Sequence, residues 1–249
     1  MGDLLIYGAI GLGTFLLAKP KAHASTKVSD DGATQTKSDP FDAARAELLR
    51  VTAAEEALNV RELGSSNSDR SPRIDTYNRS VNLSAGSLWC AAFVSWCVMT
   101  ALGRGRPPKW AGSQTSWIMV AARDAFRSGK LPAQYVAFGN DINTWNRVKA
   151  GWVWVKGATA NGSDALNAPR GGWKRGHTGI VREPISVVKQ GHFSTTEGNT
   201  MVRYGPREFL GHGGVYNAER PWVGNDNVIW FDPMALTYYL ENEQSKPVS

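Results

Sequence analysis

The apolar residues of this chain change their period once, and that change limits the fold more than any other feature of the sequence. From Phe41 to Leu58 the positions Ala44, Leu48, Val51 and Ala54/Leu58 recur at helical spacing. Ser38 or Asp39 can cap this helix, with Pro40 at its first position. After a polar loop over 64–72, the segment Trp89-Cys-Ala-Ala-Phe-Val-Ser-Trp-Cys-Val-Met-Thr-Ala-Leu102 reads as a strongly apolar helix ending near Gly103. Beyond Pro107 and Pro108 the pattern gives way to short strands separated by Gly, Asn and Pro, namely Gly151–Lys156, His177–Val181, Gly191–Glu197 and Asn227–Phe231. Helices first and strands second predict an α+β fold, with N-terminal helices packed on a mainly antiparallel β-sheet. No internal repeat interrupts this order.

The 249 residues hold one domain of roughly 150 to 200 residues with length to spare, and the predicted domain spans 41–240, with a tail over 241–249. Residues 1–20 contain the uncharged, mostly apolar run Leu4–Ala18. As a helix it would span about 22 Å, short of the roughly 30 Å hydrocarbon core. It is a membrane-directed segment, and a cleaved signal, an anchor and a phage-membrane segment all remain open. Ala22-His23-Ala24 has the form of a cleavage site. Lys19 and Lys21, which follow the run, favour keeping that flank on the cytoplasmic or virion-interior side. Residues 21–40 have linker composition, with almost nothing to bury.

The net charge of +6 belongs to residues 41–249, because the four lysines and four aspartates of the first forty residues cancel. A basic domain suits a polyanionic partner. Nucleic acid, an anionic membrane surface and the acidic bacterial envelope all qualify, but no run such as five consecutive Lys/Arg and no nucleic-acid signature is present, so nucleic acid is the disfavoured partner.

Two cysteines share the apolar helix. Their seven-residue separation sets their backbones about 10 Å apart, beyond the roughly 7 Å that a disulfide tolerates. A thiol nucleophile works as thiolate and is favoured at a helix N-terminus, where unpaired N–H groups and the positive end of the dipole meet. Cys90 opens its helix, with Ser87 as a possible cap, whereas Cys97 lies two turns inside and reads as core filler. Of the four histidines, His23 is in the linker and His212 in a Gly-rich loop, while His177 opens an apolar strand and His192 is held in reserve. An imidazole base needs an acceptor on its second nitrogen, and Glu197 and Asn199 in Thr195-Thr-Glu-Gly-Asn-Thr200 lie one hairpin beyond His177. Trp152 and Trp154 share a strand face and read as core; Trp173, beside His177, is the better wall for a substrate groove.

Taken together, Arg61-Glu-Leu-Gly, Arg70-Ser-Pro-Arg-Ile-Asp-Thr-Tyr77, Trp89-Cys-Ala-Ala-Phe-Val-Ser-Trp-Cys97, Gly176-His-Thr-Gly-Ile-Val181 and Thr196-Glu-Gly-Asn-Thr200 resemble the CHAP family of cysteine- and histidine-dependent amidohydrolases/peptidases. The likeness covers about residues 55–205. It implies a papain-like α+β fold and cleavage of amide bonds in peptidoglycan through a thioester. It implies Cys90 as nucleophile, His177 as base, Glu197 as orienting partner and Asn199 as auxiliary polar group. Trp89, Trp173 and Tyr77 are the candidate substrate-contacting side chains, with Tyr77 also a candidate second oxyanion donor. The sequence departs from the family at Lys149-Ala-Gly-Trp152, where Pro-Gly-Asp is common, and in a long insertion over 157–175. Residues 76–89 hold no acidic side chain, so neither a metal nor any other cofactor is expected. The expected function is that of a peptidoglycan hydrolase, an amidase or endopeptidase of a phage lysis or entry protein or of bacterial wall remodelling. It would act at the cell envelope or in a virion, with residues 4–18 toward membrane. The alternatives are a non-catalytic wall-binding or virion structural module and an amidase or acyltransferase acting on another amide.

Overall fold

The computed structural model describes residues 38–64, 68–139, 141–159, 173–183, 192–201, 213–221 and 227–242. In chain order the helices α1 (Asp42–Ala57), α2 (Pro72–Ser80), α3 (Cys90–Ala101) and α4 (Thr115–Arg127) precede a 3-10 turn at Ala133–Tyr135. Strand β1 (Val136–Phe138), the short α5 (Ile142–Trp145), β2 (Val153–Thr159), β3 (Trp173–Val181), β4 (His192–Met201), β5 (Gly213–Pro221), β6 (Val228–Phe231) and α6 (Pro233–Asn242) follow. The described strands form one sheet in the order β1-β6-β2-β3-β4-β5, antiparallel at every pairing. The architecture is α+β, as the order of periods predicts.

Three local expectations are corrected. The stretch after Pro108, read as the onset of strands, holds α4, whose Ile118, Met119, Ala122 and Ala125 are buried at helical spacing. The residue at the head of α1 is Phe41 rather than Ser38 or Asp39, although the Asp39 carboxylate still accepts from the Phe41 N–H at 3.1 Å. At the far end α6 continues to Asn242, so the fold runs past residue 240.

Apolar residues surround α3. Phe93, Val94, Cys97 and Val98 are wholly buried, as befits a helix without a polar face. It packs against α1 and α2 on one side and against β3 and β4 on the other. Val153, Val155, Ile180, Ile229 and Phe231 face these helices, while Trp152, Trp154, Val181, Phe193 and Trp230 form a second core on the opposite face of the sheet. Alternation along β2 sorts Val153 and Val155 from Trp154 in this way. Trp152 and Trp154 are therefore core, as read from the sequence.

Two glycines let the site assemble. At Gly198 a Cβ would stand 2.6 Å from the Phe93 Cβ, so only glycine lets α3 lie this close to β4. At Gly179 a Cβ would stand 2.8 Å from the Glu197 Cγ, so its absence leaves room for that carboxylate beside β3. Strands β3 and β4 pair at Ile180–Thr196 and Val181–Thr195. Arg182 N–H continues the pairing onto the Ser194 carbonyl at 2.9 Å, and toward the site the side chains of His177, Glu197 and Thr200 bridge the two strands.

Candidate active site

Cys90 is the first residue of α3, and Trp89, its N-cap residue, provides no side-chain cap. The Ser87 expectation is thereby corrected: its carbonyl accepts from Asn78 Nδ2 at 3.3 Å. The first α3 N–H paired within the helix is that of Phe93, onto the Trp89 carbonyl at 2.8 Å. The N–H groups of Cys90, Ala91 and Ala92 thus sit at the positive end of the helix dipole, next to the sulfur. Cys90 is 8% exposed and forms part of the wall of a cleft of about 790 Å³, with Ser87, Leu88, Ser113, Gln114 and Thr115. Cys97 has no exposure, and burial pushes its thiol well up, so it is core filler as expected.

His177 comes from β3, and Cys90 is among the groups that act on its imidazole. Its Nε2 lies 2.8 Å from Glu197 Oε2 and 2.9 Å from Thr200 Oγ1. With Nε2 so engaged, Nδ1 is the nitrogen left for the thiol. The ring stands edge-on to Trp154 at 5.6 Å between centroids, and Trp154 is itself anchored by its Nε1–H donated to Thr195 Oγ1 at 2.7 Å. Burial disfavours the charged imidazole, but Cys90 and Glu197 outweigh it and raise its pKa to about 9. His177 therefore carries its proton at neutral pH.

Glu197 is wholly buried. Burial disfavours its carboxylate, yet hydrogen bonds from Arg220 and His177 dominate and lower its pKa to about 2. Arg220, on β5, donates Nε–H to Oε1 at 2.7 Å and Nη2–H to Oε2, a two-pronged grip. Thr200 donates its hydroxyl to Oε2 at 2.6 Å.

The structure thus brings together Cys90, His177 and Glu197, and gives Asn199, Tyr77 and Trp89 other surroundings. Asn199 has a left-handed backbone (φ 56°) inside an irregularity of the β4–β5 register between Glu197 and Thr200. On a regular strand 197 and 199 would share a face. The bulge breaks that alternation, so Thr200 joins Glu197, and the Asn199 side chain interacts instead with Asp69. Tyr77 is wholly buried and gives its hydroxyl to Glu55, with Trp89 stacked on its ring at 5.8 Å. It cannot serve as an oxyanion donor, and Trp89, also wholly buried, cannot touch substrate. Both are corrected from substrate contacts to packing beneath the nucleophile. Trp173 opens β3, but its side chain lies outside the described residues, as do residues 4–18 and most of the 157–175 insertion. His192, the reserve base, opens β4 opposite Pro221, at the far end of the strand from Glu197. His23 and His212 also lie outside the described residues.

Thr200, Arg220 and the supporting role of Trp154 were not anticipated. Thr200 sits in the same short run as Glu197, and the neighbouring Gly198-Asn199 pair signals a left-handed break. Arg220 has no local signal at all. Among the described residues no cluster of three or more His, Cys, Asp or Glu could hold a metal ion. Compared with known proteins, the chain matches no family model, no curated protein and no solved structure.

Proposed function

We propose that this protein is a cysteine-dependent amidohydrolase of papain-like fold that cleaves amide bonds in bacterial peptidoglycan. The observation that carries the reading is the alignment of Cys90 at the head of α3 with His177, whose Nε2 lies 2.8 Å from the buried carboxylate of Glu197. A binding module has no use for such an alignment, or for a thiol at the wall of an open cleft. The order and spacing of the CHAP-like motifs supply the substrate class, and the net charge of +6 suits an acidic wall.

In this mechanism the proton of Cys90 rests on His177, and the thiolate attacks the amide carbonyl. The unpaired backbone N–H of Cys90 stabilises the oxyanion, a contribution typically worth on the order of 100- to 1000-fold in rate. His177 delivers its proton to the leaving amine as the C–N bond breaks, which leaves a thioester on Cys90. Water then attacks the thioester with His177 as base, releasing the carboxylic acid and restoring the thiol. Glu197 holds the imidazole with Nδ1 toward the sulfur throughout.

The reading carries with it an envelope or virion location in a phage lysis or entry protein or a wall-remodelling enzyme. Peptidoglycan is then the partner, and the run 4–18 is directed to membrane. Among the described residues no helix is long and apolar enough to cross a membrane. Cys90→Ala is expected to abolish clearing of purified cell walls and release of fragments from defined muropeptides, read by mass spectrometry. Equal clearing by variant and wild type would remove the catalytic reading in favour of a wall-binding role.

A further inference from the structure

The carboxylate behind His177 is not alone. Arg220 Nε donates to Glu197 Oε1 at 2.7 Å, and Arg220 Nη2 donates to Oε2, the same oxygen that lies 2.8 Å from His177 Nε2. Glu197 has no exposure, so water screens the pair only from the side of Arg220, whose side chain is 35% exposed. Thr200 occupies the remaining space between carboxylate and ring, bonding to both.

Resting on the proposed thiol–imidazole chemistry, we infer that Arg220 is a positioning residue that makes Glu197 a charge-neutral acceptor. It fixes the carboxylate on Nε2 by a two-pronged grip and cancels most of its charge at the imidazole. The ring is then oriented by a hydrogen bond and charged chiefly by the thiolate in front of it. A bare buried carboxylate would hold the imidazolium too firmly to release its proton to a leaving amine, whereas an arginine without the carboxylate would repel the imidazolium. Arg220 and Glu197 therefore act as a pair, and losing one charge does more harm than losing both.

The charged and titratable groups around the ring, among the described residues, are few. Cys90 faces it from α3, Glu197 from β4 and Arg220 through Glu197 from β5. Lys156 of β2 lies opposite His177 in register, with its side chain exposed. The α4 end of the cleft contributes Gln114, Thr115 and Ser116, none of them charged. Asp69 interacts with Asn199 and with Glu62, on the side of Asn199 away from the ring.

The test is the pH dependence of Cys90 alkylation by iodoacetamide, which requires no knowledge of the substrate. Cys97 has no exposure, so the folded protein reports Cys90. A second rise in rate marks the loss of the His177 proton. Relative to wild type, this inflection is expected to move up by about one pH unit in Arg220→Gln and down by about one unit in Glu197→Gln. In the double variant Glu197→Gln/Arg220→Gln it returns to near the wild-type position, with alkylation at neutral pH recovered several-fold over Glu197→Gln alone. Arg220→Lys, which keeps the charge should Arg220→Gln fail to fold, stays within a few tenths of a unit of wild type. Superimposable profiles for wild type and Arg220→Gln, or a double variant no better than Glu197→Gln, would overturn the pairing. Should the wild-type profile match that of His177→Ala, the thiol–imidazole reading itself fails, which is a separate outcome.

Discussion

His177 and Glu197 depart from their ordinary ionisation in opposite directions, and each departure has a sign that stability must follow. His177 titrates at about 9 against an ordinary 6.5, so its contribution is complete below pH 6.5 and is lost as pH rises through 9. Glu197 titrates at about 2 against an ordinary 4.5, so its contribution is complete above pH 4.5 and is lost as pH falls toward 2. Both operate in full between pH 4.5 and 6.5. The thermal midpoint is expected to fall as pH drops from 4.5 toward 2, and a Glu197→Gln variant to lose part of that decline. Thr200→Val deletes one hydroxyl between ring and carboxylate, worth about 1 kcal/mol, and should lower kcat/KM on cell-wall fragments about fivefold. Asn199→Gly keeps the left-handed backbone and should leave turnover near wild type; the reverse order of effects would contradict the bulge. From sequence, Glu197 could be found because it ends a strand of alternating pattern. The choice between Asn199 and Thr200 could not, because a single left-handed residue reverses the parity on which alternation rests.

At the scale of elements, the site exists because α3 approaches β4 to within one missing methyl. Gly198→Ala places a Cβ against that of Phe93 and should force the helix head away from His177. The expected cost is about 1–3 kcal/mol in unfolding free energy, with a larger relative loss of Cys90 reactivity, measured by denaturant titration and alkylation side by side. Retention of both would mean that the packing does not set the thiol–imidazole distance. The helix α3 was legible because its apolar run is unbroken, and β2, β3, β4 and β6 because β-branched and aromatic residues cluster between turn residues. The helix α4 was obscured by Pro107, Pro108 and Gly112 upstream, although its own apolar residues keep the helical period. Strand β5 was obscured because Gly213-Gly-Val-Tyr-Asn-Ala-Glu-Arg-Pro221 has no clean alternation and takes its place by pairing with β4.

Across the whole molecule, groups far apart in sequence close the structure. Arg45 of α1 reaches Asp232, which caps α6 by accepting from the Met234 and Ala235 N–H groups at 2.8 and 3.1 Å. Arg45 is 3% exposed and Asp232 not at all, so Asp232→Ala leaves a buried guanidinium without its partner there and should cost about 3–5 kcal/mol. Thermal denaturation would measure the loss, and a cost below about 1 kcal/mol would mean that Asp39 and Asp42 satisfy Arg45 by themselves. Neither this tie nor the Arg220 grip on Glu197 leaves a trace in local pattern, because a pair separated by many residues is defined only once the sheet has formed. The central claim is that the Cys90 sulfur is activated by His177. Its most direct measurement is the rate of Cys90 alkylation at pH 6 in wild type and in His177→Ala. The account predicts a rate at least about tenfold higher in wild type, since His177 is the base that activates the sulfur. Equal rates in the two proteins would contradict it.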